Sequence, residues 1–185
     1  LLRPIATHDF LNVRTYVRHD GESGIHFMTE WLSSQLAVHL GPRSFGLPYR
    51  LGQIQFHHDL EAALIRGRVR DARTGGVFAY HAEFAHCSTV GPCPQGSLDE
   101  WLMERYTAFT HRHGSSRFFR VWHESWPQMP VVAEITEMSL VTKNWPPLRG
   151  ARLIGANFSP GVRDVWMGWP HRLRELCASE SVFAR

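Results

Sequence analysis

Asn12-Val-Arg-Thr-Tyr-Val17, followed by Gly24-Ile-His-Phe-Met28 and then Gly46-Leu-Pro-Tyr-Arg50, is the stretch whose reading decides the fold. Its first piece alternates side-chain type with a period of two, as a strand does. Val13, Thr15 and Val17 share one face, and Asn12, Arg14 and Tyr16 share the other. Asp20-Gly21 marks a turn before a second short strand at 24–29. Thr29 to Leu40 then places Leu32, Leu36 and Leu40 on one helical stripe, which stops at Gly41-Pro42. A new strand starts at Tyr49.

Outward from that stretch, β-type runs dominate. Strands are expected at 12–18, 24–29, 49–58, 60–71, 77–86, 117–124, 131–141 and 162–167, separated by turn clusters such as Gly75-Gly76 and Gly91-Pro92. A second helix is marked by the capping box Ser97-Leu-Asp-Glu100. Leu98, Trp101, Leu102, Arg105, Tyr106 and Phe109 follow at helical spacing on one face. Arg105 interrupts that apolar stripe, where a guanidinium needs a carboxylate or carbonyl partner. Two helices among many strands make an α+β domain, mostly antiparallel β, occupying 1–185 as a single unit.

Composition narrows the function classes. At 185 residues, with 43% hydrophobic and 20% charged residues, the chain is long enough for one packed core. No apolar run approaches the roughly 20 residues of a membrane helix, and no signal-peptide pattern opens the chain. The three cysteines, Cys87, Cys93 and Cys177, make no framework, which points to the cytoplasm. Of the 20 basic residues only Lys143 is a lysine, and the arginines are spread along the chain with a net charge of only +3. A nucleic-acid surface normally shows a clustered patch, so no nucleic-acid partner is expected.

The three opening motifs resemble the bacterial DUF2071 (YqjF-like) family, which is grouped with the acetoacetate decarboxylase-like fold. Gly96-Ser-Leu-Asp-Glu-Trp-Leu-Met-Glu-Arg-Tyr106, His123-Glu-Ser-Trp-Pro127 and Phe158-Ser-Pro-Gly-Val162 extend the resemblance over most of the chain. It implies a cone-shaped β-barrel around a pocket. It also implies an N-terminal segment, present in similar proteins, that precedes the residues here. In acetoacetate decarboxylases the turn reads Gly-x-Pro-Lys-Lys, and the first lysine forms the Schiff base. Tyr49 and Arg50 stand at those positions in this sequence.

That exchange changes the chemistry. A phenol forms no imine, and arginine stays protonated near neutrality. Lys143, in Val141-Thr-Lys-Asn-Trp-Pro, reads as a surface lysine. The expectation is a cytoplasmic protein binding a small carboxylate- or carbonyl-bearing molecule, with acid–base rather than Schiff-base chemistry. Arg14, Tyr16, Arg50 and Arg105 are the candidate binding residues. Tyr49 would act as hydrogen-bond donor or general acid and His123 as the proton carrier, since an imidazole titrates near neutral pH.

Each has a bland alternative: a solvated Arg14, a packed Tyr49, a core His123 beside Phe119 and Val121. The whole protein has one too, a non-catalytic interaction protein whose barrel is filled by Trp31, Trp101, Trp122 and Trp126. Whether it is an enzyme, and whether it self-associates, stays open. His57-His58-Asp59, His81, His86 and Cys87 lack metal-ligand spacing, and adjacent strand residues point opposite ways, so no metal or other cofactor is expected. No Gly-x-Ser-x-Gly elbow supports a hydrolase triad.

Overall fold

A computed structural model describes residues 8–85 and 89–173. His86, Cys87 and Cys177, named above, lie outside them. Strand β1 (Phe10–His19) turns directly into β2 (Glu22–Leu32). Asp20 and Gly21 both adopt positive φ, 49° and 79°, the two-residue hairpin geometry whose twist matches the strands. Helix α1 (Gln35–Ser44) leads to β3 (Tyr49–Asp59), β4 (Leu64–Asp71) and β5 (Val77–Phe84). After the short α2 (Leu98–Met103) come β6 (Thr107–Arg112), β7 (Ser115–Trp122), β8 (Met129–Glu137) and α3 (Ser139–Asn144). Three two-residue strands close the order: β9 (Asn157–Phe158), β10 (Trp166–Met167) and β11 (His171–Arg172).

Strand β2 organises the sheet. One edge pairs antiparallel with β1 along its whole length. The other edge is divided, its first half running parallel to β6 and its last residues parallel to β3. All other pairings are antiparallel, and the path reads β10-β7-β6-β2-β3-β4-β5-β8-β9. An α+β domain dominated by antiparallel strands is therefore present. The closed barrel is not seen among the described strands: the path has two ends, and β1 pairs with β2 alone.

Several local expectations are corrected. Thr29, Glu30, Trp31 and Leu32 finish β2 rather than start a helix, because all four are buried between neighbouring strands. Helix α1 begins after the Ser34 cap, whose hydroxyl accepts from the Ala37 N–H at 3.3 Å. It runs through Gly41-Pro42, and the Phe45 N–H returns to the Gly41 carbonyl at 3.0 Å. Leu36 and Leu40 are exposed, so the leucine stripe is not a core stripe.

Helix α2 keeps its capping box, Ser97 Oγ accepting from the Glu100 N–H at 3.1 Å and Glu100 from the Gly96 N–H at 2.6 Å. It ends at Met103, because Thr107-Ala108-Phe109-Thr110 is buried as β6 between β2 and β7. The tail of the expected 131–141 strand coils into α3, and residues 60–63 form the β3–β4 turn with Ala63 at φ 54°.

Two apolar clusters pack against β2. Trp31, Val69, Leu140 and Val141 form one, joined by Leu11 and Val13 of β1. Ile25, Leu47, Ala108 and Phe119 form the other, joined by Tyr16, Phe27 and Tyr49. Burial on both faces at 29–32 brings polar Thr29 and Glu30 into the interior beside Trp31 and Leu32.

Candidate functional site

The parallel register between β2 and β3 sets Glu30 opposite Tyr49 and Trp31 opposite Arg50. On the other side β1 sets Asn12 opposite Glu30. Val13 faces Thr29 while Arg14 faces Phe27, so Met28 is an extra residue in β2. Such a bulge re-aims the side chains beyond it.

Glu30 is 7% exposed, and its Oε2 has no hydrogen-bond partner. Burial raises its pKa from 4.5 to about 7, against the opposing pull of the Arg14 guanidinium. Burial, with the Glu30 charge second, also pushes the Tyr49 phenol well above its ordinary range. The phenol therefore stays protonated and can donate, while the carboxyl changes protonation near neutral pH. That division of roles suits proton transfer by Glu30 and orientation by Tyr49.

The Tyr49 ring lies against α1 at Gly41, where a Cβ would stand 2.2 Å from Tyr49 Cε2. Beside it opens a cleft of about 520 Å³, lined by Thr29, His39, Arg43, Pro48, Tyr49 and His111 among others. Tyr49 thus lines a solvent-accessible recess and pairs in register with the buried Glu30.

Arg14 and Tyr16 do share a face. Arg14 Nη2 and Tyr16 Oη both donate to the Leu102 carbonyl, at 3.1 and 3.0 Å. Tyr16 also packs on Trp101, with ring centroids 4.6 Å apart. These contacts hold α2 on β1. Arg14 additionally lines a separate recess of about 470 Å³ with Leu11, Val13, Phe78 and Val141.

Arg50 also lines the cleft beside Tyr49. Its Nη1 lies 3.6 Å from Asp71 Oδ2 and donates to Asn144 Oδ1, and the guanidinium sits 5.9 Å from the Trp31 ring. It ties β3 to β4 and α3. Burial favours the neutral form of Asp71, but N–H donors from Arg73 and Thr74, at 2.7 and 3.3 Å, help hold its pKa below 3.8.

Arg105 lies over Trp101 at 4.5 Å and donates to the Glu104 carbonyl at 3.0 Å, while its buried Nε and Nη2 have no partner. His123 is buried with both ring nitrogens engaged. Nδ1 is 2.8 Å from the Glu124 carbonyl, and Nε2 accepts from Trp126 Nε1 at 3.3 Å. Tyr106 stacks on the ring at 4.7 Å. Lys143 is exposed and donates to the Thr74 carbonyl at 3.4 Å.

Of the residues singled out from sequence, Tyr49 and Arg14 flank the buried Glu30 and Arg50 lines the Tyr49 cleft, while Arg105 and His123 sit in separate contacts. Sequence reasoning missed Glu30. The available signal was one carboxylate inside Met28-Thr-Glu-Trp-Leu32, a tract otherwise fit for a core. Among the described residues no group of three or more His, Cys, Asp or Glu could hold a metal ion. No helix there is long and apolar enough to cross a membrane.

Residues 2–163 match the family model DUF2071, described as an uncharacterized conserved protein. The uncharacterized protein YqjF of Bacillus subtilis (strain 168) is 32% identical over 128 residues, 68% of this chain and 51% of the relative. The chain thus spans about half the length of that curated relative. The crystal structure of acetoacetate decarboxylase from Legionella pneumophila subsp. pneumophila str. Philadelphia 1 aligns with a TM-score of 0.58 at 11% identity. That alignment covers 90% of this chain and 72% of the decarboxylase, and at such identity it is a likeness of fold alone.

Proposed function

The chain belongs to the DUF2071 family of uncharacterized conserved proteins, and from that premise we propose that it binds a small carbonyl- or carboxylate-bearing molecule in the cleft beside Tyr49. The observation that carries this reading is the buried Glu30 opposite Tyr49, its Oε2 without a hydrogen-bond partner and its pKa raised to about 7. Such a carboxyl costs stability, and perturbed groups of this kind cluster at functional sites. The Tyr49 phenol donates to a ligand oxygen, and Glu30 takes or returns the proton. Arg14 tunes Glu30 through its charge rather than gripping the ligand.

Imine formation plays no part in this scheme. Supporting that, the sole lysine is exposed on α3 and its amine is bound to the Thr74 carbonyl. The reading puts the protein in the cytoplasm with a small-molecule partner and no cofactor.

A thermal-shift panel of small oxo-acids and carboxylates tests it. The expected result is a rise in Tm for at least one compound, reduced in Tyr49→Phe and made pH-independent in Glu30→Gln. A panel without response, or a response unchanged in Tyr49→Phe, overturns it. The second reading, a non-catalytic interaction protein with a filled interior, has less support, because of the four tryptophans expected to fill it Trp31 is fully buried while Trp101 and Trp122 are exposed.

A further inference from the structure

Where the end of α1 meets the β6–β7 hairpin, a recess of about 480 Å³ has a basic lining. Arg43 comes from the last turn of α1, Arg112 and Arg117 from the two arms of the hairpin, and Arg172 from β11. His113 stands at the hairpin tip, and among the described residues no Asp or Glu lines the recess. Arg43, the hairpin pair Arg112 and Arg117, and Arg172 are far apart in the sequence and are brought together by the fold.

Their placement is built rather than incidental. Arg117 Nη1 donates to the Ser44 carbonyl at 3.3 Å, and Arg43 Nη1 to the His39 carbonyl at 3.2 Å. Gly46, at φ +74°, lets the loop after α1 press on the hairpin, where a Cβ would meet Arg112 Cβ and Arg117 Cδ at 3.9 Å. Arg172 lies directly opposite Arg117 in the β7–β11 register. Like charges so opposed are unfavourable unless an anion lies between them. Neither Arg112 nor Arg172 has a carboxylate partner among the described residues.

Guanidinium forks grip phosphate oxygens in pairs, and several of them suit an anion with more than one phosphate group. The lining holds no Phe, Tyr or Trp ring on which the bases of a strand could stack, which favours a small ligand over nucleic acid. We infer that this recess binds the pyrophosphate or polyphosphate group of a small molecule. It shares Pro42, Arg43, Gly46 and Arg112 with the cleft beside Tyr49, yet the inference requires no ligand in that cleft.

Calorimetric titration of the full chain with inorganic pyrophosphate at low ionic strength is the test. The wild type should bind saturably, and Arg112→Ala/Arg172→Ala should bind at least roughly tenfold more weakly. Arg66→Ala/Arg68→Ala, with the same charge change on exposed positions of β4, should bind as the wild type does. Thermal melts of both variants establish that they fold. Absence of wild-type binding at millimolar pyrophosphate overturns the inference. So does an equal loss in Arg66→Ala/Arg68→Ala, or saturable oligothymidylate binding that pyrophosphate does not displace.

Discussion

Replacing Glu30 by glutamine exchanges a titrating carboxyl for a neutral amide of nearly the same shape, at a position 7% exposed. Its folded-state pKa of about 7 stands against an ordinary value of 4.5. Between those two values the folded protein keeps a proton that the unfolded chain releases. Raising the pH through that window therefore weakens the fold, and stability fully present below 4.5 is lost as pH rises through about 7. The gap corresponds to about 3–4 kcal/mol as an upper value, at about 1.4 kcal/mol per unit of pH.

Glutamine does not titrate. The stability difference, Glu30→Gln minus wild type, should climb with pH between 4.5 and about 7 and then level off. Urea unfolding at a series of pH values reads this directly, and taking the difference cancels the histidines common to both proteins. A difference that stays flat to within about 0.5 kcal/mol across the window would refute the buried-carboxyl reasoning, and with it the proton-transfer role.

Gly41→Ala should destabilise despite a helix-propensity gain of about 1 kcal/mol, because its Cβ would stand 2.2 Å from the Tyr49 ring and overpacking costs about 1–3 kcal/mol. Net stabilisation in chemical denaturation would mean that Tyr49 does not rest on α1. Asp71→Asn should cost about 1–3 kcal/mol at neutral pH and less in acid. The Asp71 pKa is depressed, so its contribution is present above 3.8 and lost as pH falls through the lower folded value; a loss independent of pH would argue against that. Ser97→Ala removes the cap of α2 and should cost about 1 kcal/mol in thermal or urea melts.

Local signals were legible wherever one residue and its near neighbours settle the backbone. Asp20-Gly21 takes the hairpin conformation, and Ser97 with Glu100 closes the capping box. The alternation at 12–17 does put Arg14 and Tyr16 on one face, where both reach the Leu102 carbonyl. The signals failed where a distant strand outbid local spacing. Phe109 sits at helical spacing from Leu102 and Arg105, yet pairing with β2 and β7 draws it into β6. Leu36 and Leu40 show the converse, a helical stripe that finds no partner surface.

The candidate site follows the same division. From sequence alone came most of the long strands but not β6, together with the α+β class, the family resemblance and the exchange of two lysines for Tyr49 and Arg50. Those depend on residue type and on neighbours a few positions away. Only the tertiary structure brought Glu30 against Tyr49, sent Arg50 to Asp71 and Asn144, and joined Arg43, Arg112, Arg117 and Arg172 around one recess. Parallel pairing on a divided strand edge is a long-range event, in which register decides which side chains meet. A reading that sees charges scattered along the chain has no access to that register, which gathers Arg43, Arg112, Arg117 and Arg172.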